Sequence, residues 1–296
     1  MKILITGVNG LLGHELAQLM CSDKGNHVYG LSRSEQKVNA DNYTHIPCDL
    51  NAEDFVTRLP GQVDAVVHLA QSEKFRDFPA ASIDVFNVNT LSTLRLLDYA
   101  RKANSKTFVY ASSGGVYGNK DIGFTEDSPI LGTGDLGFYL SSKLCSEIIA
   151  DNYTSFFNVV QLRFFFVFGP RQNKSMLIPR LISSVQNKNE ITLSGQEGIT
   201  INPIYVSDAA MAVKKALALD HSDKINIAGT SNLSLRRIGE IIAAKLGTDP
   251  VFRHDTNEPK NLIGDIQKMK KLLFVPEVSF EQGIDNMIKS LKAKSE

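Results

Sequence analysis

The chain has 296 residues, of which 43% are hydrophobic and 22% charged, and its 32 basic and 32 acidic side chains leave a formal net charge of +0. This length suits one large α/β domain or two smaller ones, and the balanced charge argues against a nucleic-acid partner or a membrane-binding basic face. No apolar run reaches bilayer-spanning length, no signal peptide is indicated, and three widely spaced cysteines favour a reduced, cytoplasmic protein. The histidines and cysteines form no ligand motif, so we predict no metal site.

The stretch KILITGVNGLLG at 2–13 predicts a buried parallel strand, a glycine turn and the start of a helix. In this context three glycines at three-residue spacing are typical of a dinucleotide-binding turn, with the pyrophosphate on the helix N-terminus. The spacing GxxGxxG differs from GxGxxG, so a glycine-rich turn of another α/β protein remains an alternative. The residues that we expect to contact the cofactor here are Gly7, Asn9, Gly10, Leu11, Leu12 and Gly13.

Strand and helix patterns alternate through the first half of the chain and predict a doubly wound, Rossmann-type parallel sheet. The further strands are predicted at His27–Leu31, Tyr43–Ile46, Val63–Leu69, Thr107–Ser112 and Val159–Phe165. The helices are predicted at Ala52–Leu59, Pro79–Lys102, Tyr139–Tyr153, Ile178–Val185, Ser207–Leu219 and Leu235–Leu246, with a last one opened by the capping box of Ser279 and Gln282. We expect an NAD(P)-binding domain at 1–165, completed by parts of 200–230, and a smaller α/β substrate lobe at 166–296.

The end of the second strand bears on the choice of cofactor. Many NAD-binding sheets carry an acid there, whereas this chain has Ser32 and Arg33. A guanidinium binds a 2′-phosphate that a carboxylate would repel, so we predict a preference for NADP over NAD. A solvated loop arginine in an NAD enzyme is the alternative. Asp49, after the third strand, is either a contact to the adenine or a cap for the helix predicted at Ala52–Leu59.

Tyr139 and Lys143, in the sequence YLSSK, lie one helical turn apart on one face of a helix. A phenol with an ordinary pKa of about 10 is a poor base at neutral pH, and a neighbouring ammonium is expected to lower that pKa. Tyr139 is then a general acid or base for a hydroxyl or carbonyl group while a hydride moves to or from a nicotinamide. Ser113, at the end of the fifth strand, is placed to hydrogen-bond the reacting oxygen.

With these motifs the chain resembles an extended short-chain dehydrogenase/reductase of the NAD-dependent epimerase/dehydratase family, whose members mostly modify nucleotide sugars. The matching segments are TGVNGLLG, CDL at 48–50, VVHLA at 66–70, SSGGVYG at 112–118, YLSSK, LRFFFVFGPRQ at 162–172, IYVSDAA at 204–210 and VSFEQGI at 278–284. The resemblance implies Ser113, Tyr139 and Lys143 as the catalytic trio, and often a homodimer. It also implies the cofactor contacts Leu50, Leu69, Ala70 and Asn89, besides Tyr139 and Lys143 themselves.

Three departures from the family pattern concern the reaction and the substrate. Gly114 and Gly115 stand where the family's 4,6-dehydratases carry Asp and Glu, which argues against dehydration. Phe166 replaces an asparagine near the substrate phosphates, and Ile201 replaces an arginine that binds the same diphosphate. Either the substrate is poor in phosphate or another cation takes over; the candidates are Arg171, Lys174 and Arg237.

The sequence thus predicts an NAD(P)-dependent oxidoreductase for a sugar that carries a nucleotide, acting as a 4-ketoreductase or a C4 epimerase. The predicted substrate contacts are Ser113, Phe166, Arg171 and Arg237. The alternatives are a reductase of a non-nucleotide carbonyl compound and a non-catalytic NADP-binding sensor or scaffold.

Overall fold

The computed structural model describes residues 1–35, 38–119, 123–130 and 136–293. The strands are β1 (Lys2–Thr6), β2 (His27–Ser32), β3 (Tyr43–Pro47), β4 (Ala65–His68), β5 (Thr107–Ser113), β6 (Asn158–Phe164), β7 (Val167–Phe168), β8 (Glu190–Ser194), β9 (Thr200–Ile201), β10 (Ile204–Tyr205), β11 (Asp223–Ile227), β12 (Leu233–Ser234) and β13 (Val251–Asp255). The α-helices are α1 (Leu11–Cys21), α2 (Ser82–Phe86), α3 (Ser92–Lys102), α4 (Gly137–Asp151), α5 (Leu177–Gln186), α6 (Val206–Ala216), α7 (Leu235–Leu246), α8 (Gln267–Leu272) and α9 (Phe280–Lys292).

A seven-stranded parallel sheet in the order β11-β6-β5-β4-β1-β2-β3 forms the centre of the molecule. Alternate side chains of β1 face opposite layers: Ile3 and Ile5 belong to the core that contains α1 and α6, and Leu4 to the core that contains α3. Both faces are covered, which explains why the central strands read as continuous apolar runs. β1 lies between β2 and β4, and the strand order reverses at this point of the sheet. A crevice at the carboxyl end of β1 is therefore the expected ligand site.

The observed elements match most of the predicted ones to within three residues at each end. The capping box of α9 is present as predicted. The helix predicted at Ala52–Leu59 is wrong: the segment holds one 3₁₀ turn at Phe55–Arg58. The sequence patterns did not predict β11, the seventh strand of the sheet, or the short strands in the second half of the chain.

We call residues 166–205 and 228–293 the C-terminal lobe. Its own apolar core joins α5, α7 and α9 to β8, through side chains such as Ile182, Leu193, Ile242 and Ile284. The intervening segment returns to the sheet, because α6 packs on α1 and β11 pairs with β6. The division into two domains stays a proposal, which the return of 206–227 to the sheet supports. Within the described residues, no helix has the length and apolar character needed to cross a membrane.

Candidate active site

The glycine turn after β1 is tightly packed. Gly7 has φ +73°, and a Cβ added there would lie 2.9 Å from the backbone of Ala70. A Cβ added at Gly13 would lie 2.2 Å from the Gly7 carbonyl oxygen. These two positions therefore require glycine, the first for its conformation and the second for the approach of α1 to the turn.

The turn leads directly into the N-terminus of α1. Gly10 is the N-cap residue and has no side chain with which to cap the helix. The first backbone N–H groups of α1, with the positive end of its dipole, thus face the crevice and fit a pyrophosphate. Leu11 and Leu12 anchor the first turn in the apolar cores, and the Asn9 amide donates to the Ser34 carbonyl at 2.8 Å.

A second anchored loop follows β4. The backbone N–H groups of Leu69 and Ala70 donate to the Thr6 hydroxyl at 3.2 and 3.1 Å, which ties this loop to the end of β1. The same hydroxyl lies 2.7 Å from Nδ1 of His68. Complete burial lowers the pKa of His68 to about 3, so this histidine is neutral and supports the loop.

Asn89 connects this loop to α4 from inside the protein. The side-chain oxygen of Asn89 accepts a hydrogen bond from the Ser72 N–H at 2.8 Å, and its side-chain NH₂ group donates to the Ser142 hydroxyl at 2.9 Å. It lies in a π-helical turn, Asn87–Leu91, between α2 and α3. Such turns are frequent at functional sites.

Tyr139 and Lys143 lie on α4, with the Lys143 Nζ 6.0 Å from the centre of the tyrosine ring. The Lys143 ammonium is buried and donates to the Ala111 carbonyl at 2.8 Å. The Phe75 ring packs on Tyr139 with 5.0 Å between ring centres. The helix therefore presents the phenol at the crevice and holds the ammonium beneath it.

The Tyr139 hydroxyl donates to the Gln71 side-chain oxygen at 2.9 Å. Burial raises the pKa of Tyr139 above its ordinary value, and burial lowers that of Lys143 to about 8. The expected lowering of the phenol pKa by Lys143 is thus not what this arrangement produces, because desolvation has the larger effect. In this state Tyr139 is a neutral proton donor. Gln71 was not predicted from the sequence, where nothing distinguishes it from other loop residues.

Ser113 ends β5, and its Oγ accepts from the Gly115 N–H at 3.2 Å. A Cβ added at Gly115 would lie 2.8 Å from the Leu140 side chain and 3.4 Å from Ser113 Oγ. Because Leu140 is the neighbour of Tyr139, the end of β5 and the first turn of α4 meet at this point. The structure thus brings the strand-borne serine and the helix-borne tyrosine to one edge of the sheet.

A buried ion pair below this edge was also missed. Arg163 of β6 donates to both carboxylate oxygens of Glu147, at 3.0 and 2.6 Å, and to the Tyr117 hydroxyl at 2.6 Å. The Ser112 hydroxyl donates to the same carboxylate. Glu147 stands one helical turn after Lys143, and Ser112 precedes Ser113, so this network fixes the backbone on both sides of the predicted trio.

The predicted adenosine end lies at the carboxyl ends of β2 and β3. Arg33 pairs with Glu73 at 2.8 Å, and the Ser32 hydroxyl donates to the Ser34 carbonyl at 2.9 Å. Asp49 accepts from the Asn51 N–H at 3.0 Å and so holds a turn, while Leu50 is buried in the core. Of the two hypotheses for Asp49, the cap of a helix at Ala52–Leu59 is wrong, and an adenine contact stays a prediction.

The predicted substrate contacts are more dispersed. Phe166 is partly buried between the two cores and has φ +46°, and Ile201 is fully buried in the C-terminal lobe. Arg171 has φ +72° and lies close enough to His14 of α1 to lower the pKa of that histidine, after the larger effect of burial. Arg237 is exposed on α7, 3.4 Å from Glu240.

The family model of the NAD-dependent epimerase/dehydratase family matches residues 3–228. A Bacillus subtilis protein described as an uncharacterized UDP-glucose epimerase, YtcB, is 29% identical, with 99% of this chain and 98% of that protein aligned. A UDP-glucuronate 4-epimerase of Thermodesulfobacterium geofontis is 25% identical, over 96% of this chain and 94% of its own length.

Solved structures of UDP-sugar 4-epimerases are also similar to this chain. UDP-glucuronic acid 4-epimerase from Bacillus cereus, solved with UDP-glucuronic acid and NAD, superposes with a TM-score of 0.88 at 26% identity, over 99% of this chain and 100% of that one. UDP-N-acetylglucosamine 4-epimerase from Methanobrevibacter ruminantium, in complex with UDP-N-acetylmuramic acid, gives 0.87 at 25% identity, over 99% and 98%. The family match spans most of the chain, and these similarities extend to nearly all of it. This chain is therefore an enzyme that belongs to the NAD-dependent epimerase/dehydratase family.

Proposed function

We propose that this enzyme moves a hydride to or from C4 of a nucleotide-linked sugar, as a C4 epimerase or as a 4-ketoreductase. The observation that carries the proposal is the placement of Tyr139 and Lys143 on one face of α4, at the sheet edge where the glycine turn opens. The similarity to 4-epimerases of UDP-sugars over nearly the whole chain supports the nucleotide-sugar substrate. As a family member and an enzyme, the chain does not fit the alternative of a non-catalytic sensor or scaffold.

The crevice fits a nicotinamide dinucleotide. The turn at Gly7–Gly13 and the N-terminus of α1 would hold the pyrophosphate, and Lys143 would reach the nicotinamide end. The bound nicotinamide supplies or accepts the hydride. The predicted preference for NADP, which rests on Arg33 and Ser32, stays a prediction.

Proton transfer falls to Tyr139 in this proposal. During reduction the phenol O–H donates its proton to the C4 oxygen, and in the reverse direction the phenolate takes the proton of the C4 hydroxyl. The Ser113 hydroxyl donates a hydrogen bond to the same oxygen and holds it in place. The buried ammonium of Lys143 stabilises the phenolate when it forms.

Dehydration of the 4,6-dehydratase type does not fit the site. It requires acidic side chains after the serine, where this chain has Gly114 and Gly115. A Cβ at Gly114 would lie 2.3 Å from the Phe165 ring, and one at Gly115 would lie 2.8 Å from Leu140. Acidic side chains at these positions would require Phe165 and Leu140 to move, so the proposal keeps only the hydride chemistry.

A screen of UDP-sugars and 4-keto nucleotide sugars, with NAD⁺ and NADPH, tests the proposal. The cofactor of freshly purified protein separates its two forms. Retained NAD supports an epimerase, which must keep its cofactor through the reaction, and an empty site supports a reductase, which must exchange it. Absence of turnover with every nucleotide sugar, together with reduction of a simpler carbonyl compound, would favour the non-nucleotide alternative.

The assembly that we propose is a homodimer in the cytoplasm. α2 and α3 pack against α4, and exposed apolar side chains lie along these helices, among them Ile83, Phe86, Leu94 and Ile148. Large apolar side chains that project from adjoining helices are typical of a protein interface. Light scattering of the purified protein should give the mass of a dimer, and Ile83→Glu with Ile148→Glu should give a monomer.

A further inference from the structure

The carboxyl end of β1 is crossed by an ion pair. Arg33 follows β2 and Glu73 follows β4, and these two strands flank β1 in the sheet. The Arg33 guanidinium lies 2.8 Å from the Glu73 carboxylate. The pair thus bridges the crevice in which the dinucleotide is proposed to lie, at its adenosine end.

Both partners stand on backbone that is held in place. On the side of Glu73, the neighbouring Ser72 donates its N–H to the buried Asn89 and its hydroxyl to Asp84. On the side of Arg33, the Ser34 carbonyl accepts from the Asn9 amide at 2.8 Å and from Ser32 at 2.9 Å. The backbone positions from which the two charged side chains extend are therefore set by the fold.

The surroundings of Arg33 are acidic. Its pKa is raised above the ordinary value, first by the hydrogen bond and charge of Glu73 and then by the charges of Asp49 and Asp84. Lys74 offsets part of this charge, 3.7 Å from Asp84. A doubly charged 2′-phosphate would meet these carboxylates as well as the guanidinium, whereas the 2′-hydroxyl of NAD would not be repelled.

We propose that Glu73 is a determinant of cofactor choice, because it engages Arg33 and repels the 2′-phosphate, and so weakens the binding of NADP relative to NAD. The inference rests on the proposed use of NAD(P). In many NAD-binding sheets an acidic residue at the end of β2 disfavours NADP. This chain has no acid there, and the proposal gives that role to Glu73, in the loop after β4. The two side chains are 63% and 80% exposed, so water and salt screen the pair and the effect is expected to be moderate.

Calorimetric titration of Glu73→Gln with NADP⁺ and NAD⁺ tests this directly. We expect NADP⁺ to bind about 3- to 10-fold more tightly than to the wild type, and NAD⁺ affinity to change by less than about 2-fold. Adenosine 2′,5′-bisphosphate and 5′-AMP, which carry the same difference without a nicotinamide, should repeat the result. In an Arg33→Ala background the gain from Glu73→Gln should fall by about half or more, because the released guanidinium is gone.

Asp77→Asn is the matched control, since Asp77 is an exposed carboxylate on the same loop. The inference is overturned if Glu73→Gln leaves NADP⁺ affinity unchanged, if NAD⁺ gains equally, or if Asp77→Asn gives the same gain. In those cases the proposed function stands, because both cofactors bind. If neither cofactor binds to the wild type, the proposed function fails together with the inference.

Discussion

Two regions of the molecule differ in how much of the family pattern they keep. One is the proposed catalytic edge, where the end of β5 meets the first turn of α4, and the other is the C-terminal lobe. At the catalytic edge, Ser113, Tyr139 and Lys143 stand on elements that are tied together by buried hydrogen bonds, from Asn89 and from the pair of Glu147 and Arg163. The ammonium of Lys143 is enclosed, and the phenol of Tyr139 faces the crevice. Little can change here without loss of the geometry.

In the C-terminal lobe, two positions that the resemblance assigns to the substrate diphosphate are apolar. Ile201 is fully buried and pairs with Leu233 of β12, so it now stabilises the lobe. Phe166 joins the cores of the sheet and the lobe. The difference teaches that the proposed catalytic residues stand within a network of buried hydrogen bonds, whereas the two positions that the resemblance assigns to the diphosphate serve packing.

The largest expected effect is at the catalytic edge. Tyr139→Phe removes the proton donor while the ring keeps its contact with Phe75, so kcat should fall about 10²- to 10⁴-fold. Cofactor affinity, measured by calorimetry, should stay close to that of the wild type. Turnover near the wild-type level on the true substrate would show that another group moves the proton, and would break the comparison.

Lys143→Met should lower kcat about 10²-fold or more, because it removes the cation that stabilises the phenolate. Burial lowers the pKa of Lys143 to about 8, so rising pH removes this cation within reach of ordinary buffers. In the wild type we expect kcat/KM for the cofactor to fall as pH rises through about 8, and to be constant below that value. The variant should lose this limb of the profile. A variant that keeps the same limb would assign it to a different group.

Arg171→Ala tests the C-terminal lobe. If Arg171 replaces the missing arginine, its removal should weaken binding of the substrate's nucleoside diphosphate about 10- to 100-fold, the usual range for a hydrogen bond to a charged group. Thermal stabilisation of the cofactor-loaded protein by UDP, GDP, CDP and dTDP measures this. Arg237→Ala is the comparison: Arg237 is paired with Glu240 on the surface, so we expect a smaller loss.

If no nucleoside diphosphate stabilises the loaded wild type, no cation replaces the arginine that is missing at Ile201, and a non-nucleotide carbonyl substrate becomes the leading hypothesis. Cofactor affinity of Arg171→Ala should be measured in parallel, because Arg171 lies near α1. A loss confined to the cofactor would move Arg171 from the substrate to the pyrophosphate.

The smallest effect is expected at the adenosine end. Arg33→Ala should lower NADP⁺ affinity about 5- to 10-fold and NAD⁺ affinity by less than about 2-fold, because the guanidinium is exposed and partly engaged by Glu73. Calorimetry with both cofactors provides the ratio. Equal losses for the two cofactors would indicate that Arg33 holds the loop and does not read the 2′-phosphate.

Features that depend on neighbouring residues in the chain were predictable from the sequence. The apolar runs of β1 and β5 predict buried parallel strands, and the glycines of the first turn indicate where the backbone must fold tightly. The spacing of Tyr139 and Lys143 places them on one helix face whatever surrounds them. These local patterns were sufficient for the fold class and for the family resemblance.

Contacts between residues that are distant in the sequence depend on the tertiary structure. The Gln71 side-chain oxygen accepts a hydrogen bond from the Tyr139 hydroxyl, 68 positions away in the sequence, and Glu73 pairs with Arg33 because β4 and β2 flank the same strand. The direction of the Tyr139 pKa also depended on burial, which no motif spacing encodes. Such contacts arise from sheet order and enclosure, so a reading of local periodicity cannot contain them.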